Sequence, residues 1–424
     1  MKKPMLKIGV GLSIFLICIL IALTMLILVY SIPTEKIEKN IAESVHILND
    51  EGVYHHMYPW CTSKLDNYTD SLMLLSAEYK GEDSVFADAL QSNFRRCKDK
   101  DPFDSLCYHY IEGVEYEITE PYNTYWHGYL VVLKPLLTIM NYGELRILNT
   151  VFQILLFCIL FAILIKINNK ELIVPYAITI LVAAPTVIFN SLQFSSCFII
   201  IILSNIFMLL IEKCKSFDLY AMYLFFITGI VTSFFDLLTY PLATYSVSAV
   251  LYMYLSKKTD FKDSIFKILK SGISWALGYF GFWSTKWIIS SIFLKQNVIE
   301  FAIESAKYRT SGSSFIAYLR NLAHNVLDIF FTPFMLLAIA FFVIIMIKAY
   351  KKYKIKKPDL KNTLNRFILP YILIAILPFI WYVVLNNHSS LHYFYTNKAL
   401  LGTVFSFLII ATDLNKNFDY FLNK

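Results

Sequence analysis

Charge is scarce in this chain. Asp, Glu, Lys and Arg make up 16% of its 424 residues, where a soluble domain of this size carries about a quarter. Hydrophobic residues reach 57%, with 35 Phe and 29 Tyr among them. That balance excludes a water-soluble globule and points to an all-α polytopic membrane protein, its aromatics gathered near segment ends where amphipathic rings favour the lipid–water interface. The formal net charge of +7 does not describe a nucleic-acid surface. The lysines fall in short runs between apolar segments, as membrane topology requires.

Other things are missing too. No small-residue cleavage site follows the first apolar run, Ile8 to Tyr30. At about 23 residues that run is long enough to cross a ~30 Å core, so it reads as an uncleaved helix rather than a signal peptide. No internal repeat of transporter type is evident. No CxxC or metal-ligand spacing occurs among the seven cysteines, which argues against a zinc site. Three cysteines (Cys61, Cys97 and Cys107) lie outside the spans on one side, so one bridge is the most that loop holds. Cys97 with Cys107 is the simplest pairing, and Cys61 with either stays open.

The chain divides at 1–30, a first transmembrane helix, 31–143, an extracytoplasmic loop, and 144–424, a multi-span membrane region. Residues 31–127 are polar and aromatic with no span-length run. Apolar segments follow at 145–166, 172–190, 193–212, 218–235, 239–255, 269–293, 323–348, 367–385 and 398–412, for about ten spans with both termini inside. Lysines sort accordingly. The inner connections hold Lys166 and Lys170, Lys213 and Lys215, Lys257 and Lys258, then Lys262, Lys267 and Lys270, and a run of seven from Lys348 to Lys361. The outer connections at 190–193 and 235–239 have neither Lys nor Arg, the positive-inside pattern. Gly128 to Met140 is apolar but short and carries Pro135. It reads as an interfacial or re-entrant helix, or as the start of a bent helix running to Lys166.

Ionisable residues near lipid are expensive and mark candidate sites. On the outer side they fall in separate connections. The stretch YPWCTSKLDNYTD holds Asp66 and Asp70, spaced to share one helix face, where a carboxylate suits a general base. A solvated helix face or an N-cap is the plainer reading of the same spacing. Next come Trp126, His127, Lys134 and Arg146, the cations placed to meet an anionic headgroup or merely to snorkel to lipid phosphates. In FFDLLTYPLATY, Asp236 and Tyr240 stand between two apolar runs. A long outer connection carries Glu300, Glu304, Lys307 and Arg309. The last, NNHSSLHYFYTNKAL, holds His388, His392 and Lys398. Four-residue His spacing permits a metal, but a third ligand is not evident nearby, so a phosphate contact fits better. Lys286 is the exception that falls within a span. This asymmetry favours a site at the outer surface over a conduction path, which needs ionisable residues in mid-span.

An inward N-terminus, a large outer first loop with early acidic residues, an interfacial helix closing it and about ten spans resemble the GT-C superfamily of membrane glycosyltransferases. Stretches such as WHGYLVVLKPLL, SLQFSSCF and FFDLLTYPLATY are similar to GT-C-like proteins of bacterial surface-polysaccharide loci. The resemblance implies transfer of a sugar from a polyprenyl-phosphate carrier to a glycan or lipid acceptor outside the plasma membrane. It implies that Asp66 or Asp70 serves as base or positions the acceptor hydroxyl, and that Lys134, Arg146, Arg309, His392 and Lys398 are candidates for holding the phosphate. Many relatives have adjacent acids here, and this chain separates them by three residues. No cofactor is called for, although a divalent cation stays open. A lipid-linked polysaccharide polymerase, a flippase or transporter, and a ligand-binding scaffold are the alternatives.

Overall fold

The computed structural model describes residues 2–60, 63–81, 84–256, 260–312, 314–356 and 359–422, and side chains at 9–355 and 359–417 within them. Cys61, Lys257 and Lys258 lie outside the described residues. The chain is 79% helical. Helix α1 (Lys2–Tyr30) leads into a unit built from α2 (Glu35–Glu51), α3 (Asn67–Glu78), α4 (Val85–Gln91), α5 (Pro102–Cys107) and α6 (Leu130–Leu137). A two-stranded antiparallel sheet joins them. It pairs β1 (Phe94–Arg96) with β2 (Ile118–Glu120) in the register Phe94 to Glu120.

The bundle follows: α7 (Tyr142–Lys166), α8 (Ile173–Val182), α9 (Pro185–Phe189), α10 (Leu192–Ile211), α11 (Phe217–Phe235), α12 (Leu242–Leu255), α13 (Phe261–Leu294), α14 (Val298–Thr310), α15 (Phe315–Phe330), α16 (Pro333–Lys356), α17 (Leu360–Thr363), α18 (Leu369–Ala375), α19 (Leu377–Val384), α20 (Asn386–Leu391), α21 (Tyr393–Thr396) and α22 (Leu401–Leu422). Seven stretches among the described residues are long and apolar enough to cross a membrane: Gly9–Tyr30, Tyr142–Lys166, Leu192–Ile211, Phe217–Phe235, Pro333–Ile355, Leu360–Val384 and Tyr393–Asn417. Their exposed sides are hydrophobic, as with Ile147 and Leu155 on α7, because lipid rather than water faces them.

Four expected spans take other forms. The one at 269–293 falls within the longer α13 and is not among the seven. The 172–190 segment breaks at Ala184, whose φ of 56° and the following Pro185 separate α8 from α9. The segment 239–255 gives the short α12, buried on every side from Leu242 to Tyr254. The segment at 323–348 is divided between α15 and α16 around Phe331 and Thr332. The bent-helix alternative for 128–166 is not what forms. Helix α6 stops at Leu137, and α7 starts afresh behind a capping box in which Asn141 and Glu144 bond each other's backbone N–H, satisfying two otherwise orphaned donors.

Two cores hold the chain. One runs through the bundle around α12 and α22. The other joins the end of α1 to α2, α3 and α6 through Leu26, Ile37, Leu48, Leu75 and Leu137. At the crossing of α11 and α13 the backbones nearly touch. A Cβ on Gly229 would stand 2.2 Å from the Trp275 carbonyl oxygen, and one on Gly278 would stand 2.1 Å from that of Phe226. Only glycine fits at both points, as in close-packed membrane helix pairs.

Cys97 and Cys107 are both buried free thiols, so the expected bridge between them is absent. The Cys97 sulfur turns instead toward the carbonyl oxygens of Ser105 and Val114, at 3.8 and 3.9 Å.

Candidate functional site

At the end of the bundle covered by the 31–141 unit lies a cleft in two chambers. The first, about 310 Å³, is lined by Asp66 and Thr69, by Tyr54, Tyr68, Tyr122, Tyr125 and Tyr395, and by Gln193, Leu237, Arg309, His388 and His392. The second, about 350 Å³, is lined by Glu304, Ser305, Tyr308, Leu391 and the same Arg309, His388 and His392. The three shared residues form the boundary between them. Five separate connections of the chain therefore meet here: 31–141, 190–193, 236–241, 295–314 and 385–398.

Asp66 is the N-cap of α3. Its carboxylate accepts from the Thr69 amide at 3.2 Å and the Thr69 hydroxyl at 2.8 Å. Burial pushes its carboxyl up to about 7, against the pull of those two bonds. Asp70 does not share its face. Asp66 lies before the helix, with φ −113° and ψ 71°, so four-residue helical spacing does not apply. Asp70 turns inward and accepts from the Tyr142 hydroxyl at 2.7 Å and the amides of Leu192 and Gln193 at 3.0 and 3.1 Å. It thereby caps α10 from a distance, and it lines neither chamber.

Arg309, near the end of α14, lies 5.5 Å above the Tyr125 ring. The nearby Tyr125 hydroxyl raises its pKa. Its guanidinium has no hydrogen bond or ion pair among the described residues, which leaves all its donors for a ligand. His388 and His392 stand one helical turn apart with ring centres 5.0 Å from each other. Burial holds both neutral, with His388 down to about 3 and His392 to about 4, and the charge of Arg309 adds to it. A neutral His388 whose Nε2 lies 2.8 Å from the Leu238 carbonyl must donate there, which leaves Nδ1 as an acceptor. His392 stacks on Tyr395 at 5.0 Å. Among the described residues no three His, Cys, Asp or Glu side chains gather as a metal site.

The other expected site residues stand behind the cleft. Asp236 accepts from the Thr239 amide at 3.0 Å and from its hydroxyl, and burial raises it to about 6. This turn puts Leu238 at φ 65° and so aims the carbonyl that holds His388. The Tyr240 hydroxyl donates to the Phe194 carbonyl. Trp126 donates from Nε1 to Phe282 at 2.7 Å. His127, lowered to about 3 by burial, bonds the Tyr122 carbonyl at 2.6 Å and supports the tyrosine wall.

Lys134 does not face a headgroup. It is fully buried, and Nζ donates to the Ala77 carbonyl at 2.7 Å, below the Tyr30 ring. Lys286 does the same for Leu90 at 2.8 Å. Both ammonium groups close the C-terminal carbonyls of short helices. Arg146 forks onto Glu51 at 2.6 and 2.9 Å and bonds the Tyr142 hydroxyl at 2.8 Å, away from the cleft. Lys398 is buried against the Phe194 ring at 4.9 Å, with Nζ on the Phe394 carbonyl. Gln193 and Tyr54 went unmarked in the sequence. Neither has a local pattern that separates it from a helix-start or loop residue.

No family model, curated protein or solved structure matches the chain.

Proposed function

We propose that this protein is a membrane glycosyltransferase that moves a sugar from a polyprenyl-phosphate donor to a glycan or lipid acceptor at the outer face of the plasma membrane. One observation carries the reading. Asp66, a carboxyl that burial raises to about 7, lines the same cleft as Arg309, whose guanidinium has no hydrogen bond or ion pair among the described residues, with tyrosines completing the wall.

The topology supports it. Five connections reach the cleft end, so the chain between each pair must leave and return. Helix α7 leaves and α8–α9 return; α10 and α11, α12 and α13, and α16 and α18–α19 do likewise. With α1 and α22 that makes ten passes and puts both termini on the opposite side, where the lysine runs lie. The cleft is then outside.

The chemistry follows from the positions. Asp66 accepts the proton of an acceptor hydroxyl. The acceptor oxygen bonds the anomeric carbon as the bond from that carbon to the phosphate oxygen breaks. The electron pair stays on the phosphate, and Arg309 meets the charge that grows there. The neutral imidazoles supply hydrogen bonds without adding cost in a partly buried site. Tyrosine faces and hydroxyls suit a sugar, apolar on its ring faces and polar at its rim.

Arg309→Gln is expected to lower kcat for transfer by about 10²-fold, the scale of losing one charge-stabilising donor, while Arg309→Lys recovers part of it. Assay with polyprenyl-phosphate sugars in detergent reads this. Unchanged kcat in Arg309→Gln would remove the phosphate from this place.

A further inference from the structure

We infer that the apolar cavity bounded by α3, α6, α7, α10 and α11 holds the hydrocarbon chain of the acceptor, so that the acceptor is a lipid-linked saccharide or glycolipid rather than a free sugar. The inference rests on the transfer reading above.

The cavity measures about 460 Å³ and is walled by side chains such as Leu136, Phe152, Ile199 and Val231. Val132, Leu148 and Phe152 on its rim are half-exposed, which opens it sideways to the bilayer. Its extent along α10, from Leu192 to Leu203, is about 16 Å at 1.5 Å per residue, close to half of a ~30 Å hydrocarbon core. The cavity therefore covers one leaflet. Two of its polar lining residues are already engaged. Asn149 donates to the Phe189 carbonyl and to Ser195, both at 2.7 Å, and the Ser195 hydroxyl donates onward to the Ser191 carbonyl at 2.7 Å. The walls match a chain, not a headgroup.

Its place decides whose chain. Met73, Leu192 and Phe235 line the apolar cavity, and Leu72, Gln193 and Leu237 line the Asp66 chamber. Neighbouring residues on α3 and at the start of α10 thus face the two spaces, and Asp236 stands between the two on the third stretch of chain. Neither chamber shares a lining residue with the cavity, but the chamber of Glu304 and Leu391, beyond Arg309, has no lining residue that even neighbours one of the cavity's in sequence. Displacement at the anomeric carbon puts the entering hydroxyl on the Asp66 side and the departing lipid phosphate beyond Arg309. The donor's chain then leaves between α14 and α20, past the exposed Leu391 and Phe301. A chain in the apolar cavity belongs to the molecule on the other side, the acceptor.

The full-length protein in detergent tests this with a decyl β-glucoside bearing a terminal diazirine, the labelled residues being mapped by mass spectrometry. Labels are expected on Phe152, Ile199 or Val231, falling about tenfold under excess unlabelled decyl β-glucoside but not under decanol, phosphatidylglycerol or undecaprenyl phosphate. A diazirine analogue of undecaprenyl phosphate is expected on α14 or α20. If undecaprenyl phosphate displaces the first label, the cavity serves the donor and the inference fails while the transfer reading stands. Equal displacement by decanol or phosphatidylglycerol makes it an ordinary bilayer-lipid groove and also overturns the inference. An undecaprenyl phosphate probe that labels neither space sinks the transfer reading, and the inference with it.

Discussion

Asp66→Asn should abolish transfer, by about 10³-fold or more on the scale of losing a general base, and should leave the protein at least as stable as before. The two effects have one cause. In the unfolded chain an aspartate titrates near about 3.9, whereas burial raises it to about 7 here. A carboxyl raised on folding binds its proton more tightly in the native state. Its contribution to stability is complete at acid pH and is lost as pH climbs from the unfolded value through about 7. Above that, the native state holds a buried anion whose hydrogen-bond partners among the described residues are the Thr69 amide and hydroxyl alone. Asn keeps an oxygen for the Thr69 amide and removes the charge. Activity of the unaltered protein should rise as pH passes through about 7, as the base ionises, while its melting temperature falls from about pH 4 upward and levels off once pH exceeds about 7. A pH–rate profile beside thermal melts checks both. Full activity in Asp66→Asn would end its assignment as base. Asp70→Asn should behave oppositely. It disturbs the cap on α10 and should lower stability, with activity falling in step with folded protein.

Arg146→Gln should destabilise the protein by about 3–5 kcal/mol, the usual effect of removing one partner from a buried pair. Its guanidinium joins Glu51 of α2, Asn67 of α3 and Tyr142 of α7, and the Arg146 side chain is only 8% exposed. Without it the Glu51 carboxylate stays behind with no ion partner, and the Tyr142 hydroxyl that serves Asp70 loses its other contact. Size-exclusion profiles and thermal melts measure the loss. Arg146→Lys should recover little, because one ammonium does not reproduce a two-pronged contact. An Arg146→Gln protein with unchanged melting would mean that the network holds nothing together.

Much of the framework was legible. Span-length apolar runs are a one-dimensional signal, and they marked most of the long helices. The broken and buried elements were less so. Ala184 at positive φ gives no compositional sign. Helix α12 reads like any short apolar run because its surroundings are protein rather than lipid.

The candidate cleft was legible by connection and less so by residue. Asp66, Arg309, His388 and His392 were marked from charge beside lipid, and the fold brings all four to one cleft. The same rule also picked Lys134, Arg146 and Lys398. Nothing in sequence tells a cation lining a cleft from one buried on carbonyls, since only the surroundings differ. The spacing of Asp66 and Asp70 misled for a local reason: an N-cap lies outside the helical repeat that the spacing assumes.

The glycine contact between α11 and α13 bears on how substrates enter. Two backbones in touch at Gly229 and Gly278 have no side chains between them to slide or re-pack. The flank of the cleft that ends in Leu237 is thereby a fixed jaw. Across from it, α14 carries Arg309 on a short helix with Phe301 and Ile303 turned outward, and α15 exposes Phe315 and Ile316. On the proposed reading, a long-chain donor is admitted on that side, where Arg309 stands at the end of α14.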